Sequence, residues 1–162
     1  MNVLVTALGT LSARTIVQQL KKKNSEIVIF GADIFPKEYI VTANEVDFFY
    51  QFPSVIEDKN YLEYIFEFCK EHNIEYVFPI IDEEVFLLSQ NKAKFKQYGI
   101  IVCTGNEESI GWCRDKYLTF ERIKKDVKEV YTPTILLSEY KGEFEFPVFI
   151  KPRLGRASIG CS

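Results

Sequence analysis

The chain has 162 residues, of which 47% are hydrophobic and 27% are charged, so it holds enough apolar material for one substantial core and a small second unit. Its formal net charge is -3 at pH 7, with 20 Lys and Arg residues against 23 Asp and Glu residues. This balance excludes a globally basic protein, and we therefore expect neither nucleic acid nor an anionic membrane as a partner.

The N-terminal residues predict a strand, a helix and a second strand. Residues 3–5 form a short apolar run that is closed by Gly9, and hydrophobic side chains then recur at helical spacing over 13–20. Residues 27–30 form a second apolar run, rich in β-branched residues, which ends before Asp33. This pattern predicts a βαβ unit.

The same alternation continues to about residue 102. A helix is predicted over 62–69, a strand over 76–78, a short helix over 85–88 that Asp82 can cap, and a strand over 100–102. The predicted strands are continuously apolar and are separated by helices. This arrangement is typical of a doubly wound α/β fold with a parallel sheet that is covered on both faces.

The alternation of predicted strands and helices ends at about residue 105. We therefore place a boundary there, between a domain of residues 1–105 and a second unit of residues 106–162. The second unit begins with a helical stretch over 110–125. Four shorter segments follow it: a turn at 132–134, strands at 135–137 and 148–150, and a solvated hairpin connection at 139–145.

The sequence indicates no targeting segment, no metal site and no disulfide. The N-terminus lacks a charged leader and a long apolar run, and no later stretch reaches about 18 apolar residues, the length that spans a membrane. We therefore expect a cytoplasmic protein. Four scattered cysteines lack the close pairs of a metal site or redox dithiol and are expected to be reduced: Cys69, Cys103, Cys113 and Cys161.

The most informative segment is a predicted strand that ends at Lys151 and runs into a loop containing Gly155, Ser158 and Gly160. Glycines permit positive φ, so that successive N–H groups can converge on phosphate oxygens, and a nearby ammonium adds positive charge. A Walker loop is excluded, because there the lysine follows the glycines. On spacing alone, a β-hairpin with a flexible tip and a surface lysine remains an equal alternative.

A second segment precedes this loop in the chain. Residues 114–120 begin a helix, with Asp115 suited to the first turn and Lys116 beside it. Taken alone, Lys116 is an ordinary exposed helix lysine.

Three features occur in the order found in one superfamily: residues 80–84 after Pro79, the helix start at 115–116, and residues 148–152 with the glycine loop. Over nearly its whole length the chain resembles the ATP-grasp superfamily, in particular members similar to the large subunit of carbamoyl phosphate synthase. The resemblance implies that residues 1–105 are a Rossmann-like pre-ATP-grasp domain. Residues 106–162 would then be the incomplete start of the α+β ATP-grasp domain.

The resemblance also implies a ligand and a chemistry. In such proteins the lysines matching Lys116 and Lys151 contact the phosphates of ATP, and the glycine-rich loop folds over them. Arg153 and Arg156 would add positive potential there, or are solvated. A carboxylate substrate would be activated as an acyl phosphate and captured by an amine or other nucleophile. The expected nucleotide-binding residues are Lys116, Lys151, Arg153, Gly155, Ser158 and Gly160.

The chain departs from the superfamily by ending at Ser162, directly after the loop. The superfamily's later strands, adenine hinge and magnesium-binding carboxylates have no counterpart, so no catalytic or metal residue is assigned. ATP and Mg²⁺ are therefore expected in a full-length context, and this chain alone is expected to bind MgATP weakly and to be inactive. A homo-oligomer and a partner chain that supplies the missing part both remain open.

Other candidate groups have simpler interpretations. Gly9 with Asp33 weakly resembles a dinucleotide-binding fingerprint, but only one of its three glycines is present. Residues 82–84 could form an acid/base pair, although carboxylates at a helix start more often cap the helix and complement its dipole. His72 is interpreted as the C-terminal end of the 62–69 helix.

Overall fold

The computed structural model describes residues 1–127, 132–155 and 158–162. The chain divides into two compact units, Met1–Glu107 and Glu108–Ser162. The prediction that the second unit is the start of an ATP-grasp domain stays a prediction.

The first unit contains a five-stranded sheet in which every neighbouring pair of strands is parallel, in the order β3-β2-β1-β4-β5. The strands are β1 (Asn2–Val5), β2 (Val28–Asp33), β3 (Phe48–Gln51), β4 (Tyr76–Phe78) and β5 (Ile101–Val102). The helices are α1 (Leu11–Lys23), α2 (Tyr61–Glu71), α3 (Asp82–Gln90) and α4 (Lys92–Gln97). Two short 3-10 helices lie at Lys37–Tyr39 and Val41–Asn44.

Two separate cores lie on the two faces of this sheet. Leu4 and Phe30 pack against α2, α3 and α4, whereas Val3 and Val5 pack against α1. Successive residues of a strand point to opposite faces, so a continuously apolar strand needs cover on both sides. The predicted α/β fold, with a parallel sheet and helices on both faces, is confirmed.

Gly31 marks a close approach between β2 and the loop after β1. A Cβ at Gly31 would lie 2.5 Å from Leu8 Cδ2 and 3.1 Å from Val46 Cγ2. Leu8 is fully buried, so it has no free space into which it can move.

We expect Gly31→Ala to lower the free energy of unfolding of this unit by about 1–3 kcal/mol, the usual cost of overpacking. Hydrogen exchange of β1 and β2 peptides would measure the change. Gly111→Ala is the control, because a Cβ at Gly111 has no neighbour within 4 Å. Unchanged exchange in the Gly31 variant would contradict the prediction.

The helices of the second unit are α5 (Glu107–Arg114), whose first residue belongs to the first unit, and α6 (Lys116–Asp126). The single helical stretch predicted over 110–125 is therefore interrupted at Asp115. Asp115 has an extended backbone, and its side chain accepts hydrogen bonds from Tyr117 N and Leu118 N. These bonds satisfy N–H groups that would otherwise lack a partner at the start of α6.

The strands predicted at 135–137 and 148–150 are wrong. Leu137 begins a 3-10 helix, Leu137–Glu139, and residues 148–150 form no strand. A strand requires a neighbour for its backbone groups. Among the described residues of these two segments, only Ile150 has such a neighbour, and it pairs with Ser162.

Candidate functional site

The glycine-rich loop is closed at its base by one backbone pair. Ile150 N donates to Ser162 O at 2.7 Å, and Ser162 N donates to Ile150 O at 2.9 Å. Between these residues φ is positive at Gly155 (135°), Ser158 (56°) and Gly160 (74°). The chain therefore reverses direction here, and residues with left-handed backbone conformations turn their N–H groups away from a regular ladder.

Lys116, the first residue of α6, lies against this loop. Its backbone N–H donates to Arg153 O at 3.1 Å. Its Nζ donates to Gly155 O at 2.8 Å and to Arg153 O at 3.4 Å. Long-range folding thus brings together three residues that the sequence identifies as candidates.

Lys151 is exposed and lines a cavity of about 940 Å³ together with Lys116 and Arg153. Much of the remaining wall is apolar, and includes Ile135, Leu136, Phe144, Phe146, Val148 and Phe149. Cations beside an apolar wall suit a ligand that has an anionic part and a flat or apolar part.

Arg153 is engaged by a residue that the sequence analysis leaves outside the site. Its Nε lies 3.1 Å and 3.0 Å from the two carboxylate oxygens of Asp115, and its Nη2 also bonds Asp115. Its guanidinium faces the Tyr117 ring at 5.4 Å. The Arg153 hydrogen bond is the main cause that lowers the pKa of Asp115. In the sequence, the position of Asp115 directly before Lys116 at a helix start indicates a capping residue. Nothing in the sequence indicates that Arg153 is its partner.

The remaining predicted loop residues can be placed as follows. Ser158 and Gly160 lie in the C-terminal limb of the loop, where Cys161 N donates to Ser158 O at 3.2 Å. A Cβ at Gly160 would lie 3.1 Å from Pro152 Cγ. Arg156 lies outside the described residues.

In the first unit, Gly9 and Asp33 are in direct contact. Asp33 is buried, and it accepts hydrogen bonds from Gly9 N at 2.8 Å and from Phe35 N at 3.1 Å. Each carboxylate oxygen therefore binds a loop N–H at the carboxyl ends of β1 and β2. This arrangement stabilises the two loops and gives the dinucleotide alternative no further support.

Residues 82–84 lie in the first turn of α3, as the predicted complement to the helix dipole requires, but the predicted capping role is wrong. The N-cap of α3 is Ile81, whose side chain makes no capping hydrogen bond. Glu84 is only 1% exposed and accepts hydrogen bonds from the Thr6 and Tyr61 hydroxyls. Glu84 lies on the inner face of α3, where Thr6 after β1 and Tyr61 of α2 can reach it. Burial raises the pKa of this carboxyl above its usual range.

His72 ends α2, as predicted, and is its C-cap residue. Its ring lies 4.3 Å from the Phe68 ring, 5.0 Å from the Tyr50 ring and 5.3 Å from the Phe30 ring, measured between centroids. These contacts give His72 a packing role beside the sheet.

The four cysteines are free, and burial raises the pKa of the Cys69 thiol to about 12. Among the described residues, no group of three or more His, Cys, Asp or Glu side chains could hold a metal ion. No helix in this part of the chain has the length and apolar character needed to cross a membrane.

Comparison with solved structures shows the same fold in three enzymes. L-amino acid ligase from Bacillus licheniformis matches with a TM-score of 0.67 and 12% identity, over 95% of this chain and 37% of the ligase. The biotin carboxylase domain dimer of Hydrogenobacter thermophilus 2-oxoglutarate carboxylase, in complex with MgADP, ADP and bicarbonate, matches with a TM-score of 0.53 and 17% identity, over 76% and 27%. Glycinamide-RNase-transformylase T from Mycobacterium tuberculosis matches with a TM-score of 0.53 and 7% identity, over 80% and 35%.

The chain thus spans between about a quarter and two fifths of the length of these structures. No curated protein matches its sequence significantly. The family model of the PylC-like N-terminal domain matches residues 3–103, which is more than half of the chain. With these structural neighbours, the match confirms the resemblance to ATP-grasp proteins. The chain belongs to the PylC-like N-terminal domain family.

Proposed function

We propose that this chain is the N-terminal part of an ATP-dependent carboxylate–amine ligase, and that Lys116, Lys151 and the loop of residues 155–160 bind the phosphates of ATP. The observation that carries the proposal is the contact of the Lys116 ammonium with the loop at Gly155 O, 2.8 Å away. Lys151 lines the same cavity. Two lysines and a loop with positive φ values suit a polyphosphate.

The proposed reaction has two steps. A carboxylate oxygen of the substrate attacks the γ-phosphorus of ATP, ADP leaves, and an acyl phosphate forms. The nitrogen of an amine then attacks the acyl carbon, an amide bond forms, and inorganic phosphate leaves. The two lysines would neutralise the phosphate charge and hold the γ-phosphate in line with the carboxylate. Magnesium would enter with the nucleotide, and the described residues include no cluster that could ligate it.

The test is trapping of the acyl phosphate with the intact gene product isolated from its source cells. MgATP, a panel of amino acids and other small carboxylates, and hydroxylamine should together give a hydroxamate and an equal amount of ADP. Omission of the carboxylate should abolish both products. ADP release without hydroxamate, for every carboxylate tested, would contradict carboxylate activation.

A second candidate function is a subunit that needs a partner chain to complete its ATP site. Exposed apolar side chains at residues 148–150 support it, as they also support a longer ligase, since Phe149 is 69% exposed and Ile150 is 44% exposed. Exposed apolar residues of this kind commonly mark a surface that another polypeptide covers. Mass spectrometry of the gene product distinguishes the two candidates. A species well above 18.9 kDa supports a single longer ligase, whereas a species of that mass with a bound second chain supports the subunit.

A further inference from the structure

Asp115 connects the start of α6 to the glycine-rich loop. On one side its carboxylate accepts hydrogen bonds from Tyr117 N at 2.9 Å and Leu118 N at 3.2 Å. On the other side both of its oxygens bind the guanidinium of Arg153. Asp115 is only 9% exposed, whereas the side chain of Arg153 is 48% exposed, so solvent is excluded from the carboxylate side of this ion pair only.

The capping bonds alone do not require an aspartate. Asparagine caps a helix as well as aspartate does, because one side-chain oxygen suffices. The contact with Arg153 is different, since a planar guanidinium binds a carboxylate through two parallel hydrogen bonds. The second function of Asp115 therefore depends on its charge and on both of its oxygens.

The Asp115–Arg153 pair places residues 153–155, the N-terminal part of the loop, next to Lys116. While Asp115 holds the side chain of Arg153, the carbonyl of Arg153 accepts from Lys116 N at 3.1 Å. Lys116 Nζ then reaches Gly155 O, two residues further along. The guanidinium, held by Asp115 and facing Tyr117, points toward α6 and is already occupied.

We propose that Asp115 is a positioning residue that sets the glycine-rich loop beside Lys116 by holding Arg153. Arg153 then contributes to nucleotide use through this pair and not by contacting a phosphate. The consequence for nucleotide use rests on the proposed function, whereas the pair itself does not.

Limited trypsin digestion of the 162-residue chain tests the pair without ATP. Trypsin must take the side chain of Arg153 into its specificity pocket to cut the bond after it, so the pair with Asp115 should protect this bond. Asp115→Asn keeps the N-cap hydrogen bonds but cannot bind the guanidinium through two carboxylate oxygens. The bond after Arg153 should then be cut about tenfold faster, since a loss of about 1.4 kcal/mol of pairing free energy corresponds to a tenfold change in rate. An unchanged rate would overturn the proposal.

Two further variants separate the pair from general loosening of the unit. Asp126→Asn removes a carboxylate that pairs with Arg122 on the exposed side of the same helix, and it should leave the cleavage rate after Arg153 unchanged. Arg153→Lys leaves the N-cap hydrogen bonds of Asp115 intact but cannot form two parallel hydrogen bonds to its carboxylate. This variant should also be cleaved faster after position 153. If cutting after Lys124 rises in parallel in the Asp115 variant, α6 has loosened and the positioning role is wrong.

A double-mutant cycle on kcat/KM for MgATP, measured with the intact gene product, tests the consequence. Asp115→Asn and Arg153→Gln should each lower kcat/KM about tenfold, mainly through KM, and the double variant should lose no more than about tenfold, because both remove one interaction. Losses that multiply to about a hundredfold would show that Arg153 acts independently of Asp115, and would overturn the proposal. Absence of ATP-dependent activity in the unsubstituted protein would refute the proposed function. The trypsin digestion would still show whether Asp115 holds Arg153.

Discussion

Glu84→Ala is expected to lower the free energy of unfolding of the first unit by about 3–5 kcal/mol, because buried hydrogen bonds are lost and a buried side chain is replaced by a cavity. Glu84 is 1% exposed and binds the hydroxyls of Thr6 and Tyr61. Its removal leaves both hydroxyls without this acceptor and opens a cavity beneath α3. Hydrogen exchange of β1 and β4 peptides would measure the loss, and a change below about 1 kcal/mol would contradict the prediction.

Glu84→Gln is the matched control, because it keeps the shape and one acceptor oxygen. Burial raises the pKa of Glu84 in the folded state, although the hydroxyl donors act in the opposite direction. The folded state therefore holds a proton that the unfolded chain, with a Glu pKa of about 4.3, has already released. The stability that Glu84 contributes should fall as the pH rises from the unfolded pKa to the folded one. Glu84→Gln cannot titrate, so this decline should be absent from it.

Lys116→Met and Lys151→Met are each expected to lower kcat/KM for MgATP in the intact gene product about a hundredfold, since a charge-assisted contact to a transferring phosphoryl group is worth about 3 kcal/mol. Methionine preserves an unbranched stem and removes the ammonium. Lys116 lies against the loop, and Lys151 lines the same cavity. Hydroxamate formation at varied MgATP concentration would measure the loss.

Lys124→Met provides the control for these two variants. Lys124 lies on the same helix as Lys116, but near the helix end, where its Nζ lies 5.5 Å from the centre of the Phe120 ring. It should retain the activity of the unsubstituted protein. Equal activity in all three variants would show that the two lysines do not bind the transferred phosphate.

Much of the first unit could be predicted because its signals are local. The predicted strand 76–78 coincides with β4, and the predicted helix 62–69 lies within α2. Strand β3 has no counterpart among the predicted elements; its residues are half-buried or exposed at the edge of the sheet. Apolar composition predicts strands at 135–137 and 148–150, but composition does not tell whether a pairing partner is available.

The candidate site was predictable only in part. The glycine spacing and Lys151 are visible in one short segment, and Lys116 gains its interpretation from the resemblance. The partners of Asp115 and Glu84 are not visible, because Asp115 and Arg153 lie 38 residues apart and Thr6 and Glu84 lie 78 residues apart. Polar residues at a helix start have the same local pattern whether they cap the helix or turn inward.

The sequence by itself determined the alternation of strands and helices, the parallel sheet and the order of the two lysines and the glycine loop, since hydrophobic periodicity and backbone-permissive residues act over a few neighbours. Only the tertiary structure decided that Glu84 faces the interior and that Asp115 holds Arg153 beside Lys116. Such choices depend on which distant donor reaches a carboxylate once it is removed from water, and burial makes that pairing obligatory.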